Sequence, residues 1–190
     1  MKSFIFLVAS AYLLQSCSQK ITAGAMAGKS QYVGEESWED PLGLQVTIES
    51  KVIEINKQSS FNAGIGYSMQ GSAYAEENFS GKVTANYLIA PITYNYQSKN
   101  GFYAEAGLQP AILLSAKDKV NGQESYNYKE YMQTFNLGLP VGAGYNFKKG
   151  FGLGIRCIPG IIKNHKEGNS RDLLILLRAT FVLNNGRDNQ

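Results

Sequence analysis

Few residues of this chain could do chemistry. There is one histidine, His165, and two cysteines, Cys17 and Cys157. His165 has Glu167 and Ser170 close in sequence, the residue types of an acid-assisted His–Ser hydrolase. Yet the three stand in a polar loop, where a triad lacks a rigid scaffold and His-Lys-Glu is ordinarily solvated, so no residue is taken as catalytic. One histidine with one or two distant cysteines makes no zinc site, and no calcium-loop pattern occurs. Gly64, Gly66 and the glycines of 138–144 lie within strand patterns and do not open a helix, which argues against a phosphate loop. No metal or cofactor is expected. The charged residues that invite explanation are Glu49, Lys51, Glu105, Arg156 and Arg178, each set in an apolar or Gly-rich stretch.

The elements that must position them are strands. In Gln133–Phe147 the odd positions are Phe135, Leu137, Leu139, Val141, Ala143, Tyr145 and Phe147; the even ones are Asn136, Gly138, Pro140, Gly142, Gly144 and Asn146. Side chains alternate across a strand, so one face is apolar and the other small or polar. The pattern persists for about fifteen residues, enough to cross a bilayer at a tilt, where strands of soluble proteins average about five or six. The same alternation sets Phe102, Leu108, Ile112 and Leu114 against Glu105 and Gln109, Leu153 and Ile155 against Arg156, and Leu177 and Phe181 against Arg178.

Eight strands are predicted, at 21–28, 43–55, 61–75, 82–96, 101–116, 133–147, 151–163 and 171–183. The connections at 56–60, 97–100 and 148–150 are short; those at 29–42 and 117–130 are long and polar, and 76–81 and 164–170 are intermediate. Antiparallel neighbours then gather the short turns at one rim and the longer loops at the other, as in outer-membrane barrels. The expected fold is all-β, an eight-stranded antiparallel up-and-down transmembrane β-barrel. A soluble lipocalin-type barrel shares this order and would turn the apolar set inward around a lipid. Strand length, aromatic strand ends and the Gly-rich polar face favour lipid outside. Glu49, Lys51, Glu105, Arg156 and Arg178 are then expected to pair in the lumen and plug it, because an unpaired buried charge is costly. Pro91, Pro110, Pro140 and Pro159 fall inside four consecutive strands and predict bulges or lost ladder bonds.

Composition agrees. Charged residues are 17%, with Gly 20, Tyr 12 and Phe 9, in 190 residues carrying a net charge of +3. This suits a Gly- and aromatic-rich β protein, and no basic cluster suggests nucleic acid. Residues 1–18 read as an export signal: Lys2, then an apolar run over Phe4–Leu14 too short to span as a helix. Ser16-Cys17-Ser18 fits ordinary cleavage, leaving a barrel domain at 19–183 and a polar tail at 184–190; Leu14-Gln15-Ser16-Cys17 is the alternative, a lipoprotein box that would lipidate Cys17.

Several short motifs occur in a fixed order: Tyr87-Leu88-Ile89-Ala90-Pro91, Gly101-Phe102-Tyr103-Ala104-Glu105-Ala106-Gly107, Gly142-Ala143-Gly144-Tyr145 and Gly152-Leu153-Gly154-Ile155-Arg156. Together they resemble the PorT-like outer-membrane β-barrel domain common in Bacteroidetes, over about residues 20–183. The resemblance implies an outer-membrane location and no single activity. Ala90 stands where many members carry Glu. The expected partners are outer-membrane lipid and, through the long loops, envelope or extracellular proteins. Trp38, Tyr126 and Tyr128 are the candidate surface-binding residues, since tyrosine gives contact area at low entropic cost. The expected role is structural or adhesive, or a membrane part of an envelope assembly. A lipid-modifying enzyme centred on His165 and a soluble lipid carrier are the alternatives.

Overall fold

The computed structural model describes residues 21–33, 42–76, 79–120, 124–148, 150–167 and 169–183. Eleven strand segments form one antiparallel sheet: β1 (Ile21–Val33), β2 (Leu42–Asn56), β3 (Ser59–Glu76), β4 (Phe79–Ile89), β5 (Ile92–Gln97), β6 (Phe102–Val120), β7 (Tyr126–Asn127), β8 (Phe135–Gly138), β9 (Val141–Asn146), β10 (Phe151–Lys163) and β11 (Arg171–Leu183). β5 continues β4 and β9 continues β8, while β7 is a short spur on β6. β1 pairs with β2 on one side and with β11 on the other, from Ile21↔Leu183 to Val33↔Arg171, so eight staves close into a ring.

The prolines explain why eight staves appear as more segments. Two staves break, at Ala90-Pro91 and Leu139-Pro140. Pro159 precedes a register shift against β11, and β6 runs on through Pro110, opposite Leu137. A prolyl nitrogen has no hydrogen to give, but its carbonyl still accepts. All four do so: Gly64 N–H donates to Pro91 O at 2.9 Å, Ala90 to Pro110 at 2.9 Å, Gly107 to Pro140 at 3.0 Å and Leu139 to Pro159 at 2.9 Å. The ladder loses one direction of bonding and keeps the other, and the facing of side chains is unchanged across both breaks.

That facing is apolar outward. Leu177 is 68% exposed, Ile155 56%, Val141 55% and Phe102 64%, while Arg156 is fully buried. The lipocalin arrangement is excluded by these orientations. Aromatic rings collect at the short-turn rim in an unbroken series of contacts, Phe102–Tyr145, Tyr145–Phe147, Phe147–Phe151 and Phe151–Phe181, with centroids 4.9 to 5.7 Å apart.

Three expectations need correction. β1 is a full strand to Val33, because pairing on both edges supports its weak Ile-Thr-Ala-Gly opening. The loop 117–130 is partly an extension of the sheet: β6 continues to Val120 and β7 folds back on it through Lys117↔Asn127 and Asp118↔Tyr126. The interior is not polar throughout. Met26, Ile158, Leu174 and Leu176 form one buried apolar cluster, and Val83, Ala85, Tyr87, Ile89, Ala111, Leu113, Ala116 and Met132 form another.

Two short turns depend on left-handed glycines, Gly101 at φ +98 and Gly150 at φ +78. A Cβ on Gly101 would meet Asn146 O at 2.6 Å, whereas one on Gly150 finds nothing nearer than 3.6 Å. Gly101→Ala should therefore cost about 1–2 kcal/mol or more, and Gly150→Ala nearer the lower figure, measured by urea unfolding in micelles.

Candidate functional site

Four of the five charged residues converge inside the ring, from β2 (Glu49), β6 (Glu105), β10 (Arg156) and β11 (Arg178). Arg156 grips Glu105 with two parallel bonds, Nε to Oε1 at 2.6 Å and Nη2 to Oε2 at 2.9 Å. It reaches Glu49 through Nη1 to Oε1 at 3.2 Å. Arg178 donates to Glu105 Oε2 at 2.7 Å and lies 3.1 Å from Glu49 Oε2. Thr47 Oγ1 adds a bond to Glu49 Oε1 at 3.0 Å. Two carboxylates and two guanidinium groups thus alternate and cancel. β2 and β10 are not ladder neighbours, so these contacts cross the interior rather than follow the wall.

Glycine makes the room. A Cβ at Gly142 would lie 2.8 Å from Glu105 Oε1, and one at Gly64 would lie 2.7 Å from Glu49 Cγ. The small face seen in the sequence is therefore the wall against which the charged side chains lie. Lys51 is not part of the group. The β2–β3 register shifts between Lys51 and Ile53, and its ammonium pairs with Glu54 at 3.0 Å on a half-exposed rim. An ammonium that close to the mouth stays hydrated, and nothing draws it inward.

A second polar group lies on the loop side. Asp172 is buried and accepts a hydrogen bond from Asn136 Nδ2. Above it, Asp118 is buried and takes Tyr74 Oη at 3.0 Å and Tyr126 Oη at 2.7 Å. Tyr126 is 45% exposed, and its ring meets Tyr128 edge to face. Tyr128 in turn contacts Tyr131 and His165, with its hydroxyl 3.4 Å from His165 Nδ1. The two tyrosines singled out in the sequence thus belong to one aromatic group with His165. His165 meets Tyr128, while Ser170 is buried and Glu167 is exposed. Cys157 is a half-buried free thiol. Cys17, Trp38, the leader and the tail lie outside the described residues.

Arg156→Met should destabilise the fold by about 3–5 kcal/mol, since it leaves two buried carboxylates with Arg178 as their one cation; Thr47→Val should cost about 1 kcal/mol. Both are read from denaturant unfolding in micelles. The bond to Asp118, with some burial, pushes the Tyr126 hydroxyl from 10.0 to about 12. A raised folded value means that this bond stabilises fully below about pH 10 and is lost as pH rises through about 12. Asp118→Asn should return Tyr126 toward the ordinary tyrosine range, followed by tyrosinate absorbance.

The fold has known counterparts. Neisserial surface protein A is similar at 15% identity, over 88% of this chain and 98% of that one, with a TM-score of 0.56. Ail, the attachment invasion locus protein of Yersinia pestis, matches at 15% identity over 87% of this chain and 97% of its own, TM-score 0.46. The outer membrane enzyme PagL matches at 13% identity over 85% of this chain and 99% of its own, TM-score 0.49. At 15% identity the likeness to Neisserial surface protein A is one of fold alone. No curated protein sequence matches the chain. The outer membrane protein beta-barrel domain family matches residues 21–166, most of the ring, and the chain belongs to that family.

Proposed function

We propose that the chain is a closed, non-catalytic barrel spanning the outer membrane, with its long-loop rim directed outward. Its role is structural or adhesive, or that of a membrane component in a larger envelope assembly. The observation that carries this is the inversion of a soluble core: Leu177, Ile155, Val141 and Phe102 face out while Glu49, Glu105, Arg156 and Arg178 are buried. Lipid accepts such a surface and water does not.

Export by residues 1–18 is part of this reading, as is PorT-like kinship within the family, supported by the ordered Tyr-Leu-x-x-Pro, Gly-Phe-Tyr-x-Glu-x-Gly and Gly-Ala-Gly-Tyr motifs. The ring interior is filled by the charge cluster and by Tyr87, Ile89, Leu113, Leu174 and Leu176, each less than 2% exposed in the last five cases. Eight strands leave room for side chains and little more. The long-loop rim, with Tyr126 and Tyr131 exposed, is the surface through which extracellular or envelope proteins would be met.

Fractionation should recover the protein in the outer membrane, with different gel mobility before and after boiling. Planar bilayers containing it should lack conductance comparable to a general porin. Leu177→Lys should cost about 2–4 kcal/mol in lipid. Recovery in the soluble periplasm would overturn the membrane reading, and a porin-sized conductance would overturn the closed interior. His165→Ala should leave lipid A profiles unchanged; altered profiles would move the role to lipid modification.

A further inference from the structure

On the loop side, outward apolar residues give way to cations. On β6 the run through Leu108, Ile112 and Leu114 gives way to Lys117 and Lys119; on β4 Leu88 is followed along the outer face by Asn86, Thr84 and then Lys82; on β10 Ile161 is followed by Lys163; on β11 Leu173 is preceded by Arg171. All five cations are exposed. Lys129 and Lys166 lie between these strands, Lys129 Nζ on Leu114 O at 3.0 Å and Lys166 Nζ on Glu130 O at 2.7 Å. The result is an arc of seven cations running from β4 round to β11, just beyond the apolar band.

Two features make this arc more than a solvated edge. First, like charges are paired directly across the ladder: Lys82 faces Lys119, and Lys163 faces Arg171. Directly opposed like charges destabilise a sheet, so a counter-charge is called for at two separate places. Second, the acids adjacent in sequence to three of the cations are turned away and occupied. Asp118, between Lys117 and Lys119, is buried and bound by two tyrosines; Asp172, next to Arg171, is buried against Asn136. Glu130 and Glu167 are exposed nearby, yet among the described residues no ion pair joins either to the arc. At the opposite rim, by contrast, Lys51 has Glu54.

We infer that the arc is a docking surface for the phosphate groups of an outer-leaflet phosphorylated glycolipid whose acyl chains lie on the band below. The inference rests on the membrane reading and names the lipid chemistry that reading leaves open. Phosphate supplies the missing negative charge at the height where acyl chain gives way to headgroup, and a single headgroup can sit between Lys82 and Lys119 or between Lys163 and Arg171.

The test uses the full folded chain in zwitterionic micelles, with phosphorylated lipid A, enzymatically dephosphorylated lipid A and inorganic phosphate as probes. Binding is read by native mass spectrometry and by the temperature at which the folded gel band is lost. Phosphorylated lipid A should bind and raise that temperature. The Lys82→Gln/Lys119→Gln variant should bind it about thirtyfold more weakly. Without lipid A, the same variant should unfold at an equal or higher temperature than the parent, because a repulsion has been removed. Equal binding of the dephosphorylated form, equal stabilisation by inorganic phosphate at matched concentration, or undiminished binding by the variant would each overturn the inference. Failure of the membrane reading is distinguishable, since the parent protein would then show no folded gel band at all.

Discussion

Closure of the hydrogen-bond ladder is the constraint from which the rest of this molecule follows. An open sheet with an apolar outer face would carry two unpaired edges, each a site for aggregation in water and a row of unsatisfied groups in hydrocarbon. The β1–β11 ladder, thirteen pairs from Ile21↔Leu183 to Val33↔Arg171, removes both edges. It asks little of the β1 sequence. Ile-Thr-Ala-Gly-Ala-Met-Ala-Gly has modest strand preference, but flanked by β2 and β11 it has no other way to satisfy its backbone. The prolines show how far the constraint can be relaxed: donors can be lost at four points so long as the carbonyls there keep their partners.

Closing so few strands leaves a narrow interior, and the sequence divides it into two kinds of filling. Toward the short turns it is charged, with glycine walls that admit two carboxylates and two guanidinium groups. Toward the loops it is mainly aliphatic and aromatic, with Leu174, Leu176 and Ile158 on one side and Tyr87, Ile89 and Leu113 on the other, and with the hydrogen-bonded Asp118 and Asp172 set among them. Burying four charges is expensive, and in general such a group adds little net stability over apolar packing of the same volume. The apolar half therefore contributes stability more cheaply than the charged half, and the charged half calls for a different explanation.

Much of the ring could be read in the residues, because alternation over long strands reports facing directly. The outward set at 135, 137, 139 and 141, the short turns at Gly101 and Gly150, and the grouping of Glu49, Glu105, Arg156 and Arg178 all follow from parity. Where both faces are apolar, parity is carried only by the residues at the ends. Leu173 to Leu177 is an uninterrupted aliphatic run, and the inward Leu174 and Leu176 are told from the outward Ile175 and Leu177 by Asp172 and Arg178, which flank the run and face inward. Parity fails at bulges: Lys51 shares parity with Glu49, yet the shift between Lys51 and Ile53 and its place at the rim leave it with Glu54. The extension of β6 past Ala116 was hidden for the same kind of reason, since the slip between Asn86 and Tyr87 in the β4–β6 register resets the alternation just before polar residues that suggest a loop.

The charged half is best explained by register. A one-residue slip between two staves would turn apolar side chains inward and charges outward, so hydrophobicity alone forbids it. A two-residue slip keeps every face correct, and the aliphatic outer surface has no means of opposing it. Such a slip moves a side chain about 6–7 Å along the strand. Arg156 would then leave both Glu49 and Glu105, and Gly142 and Gly64 would no longer stand where the carboxylates need space. Because Arg156 meets Glu49 across the interior rather than along the wall, the penalty couples strands that share no ladder bonds, and one mispaired hairpin would strand charges on the far side of the ring. The quartet thus discriminates among closures that the alternation permits.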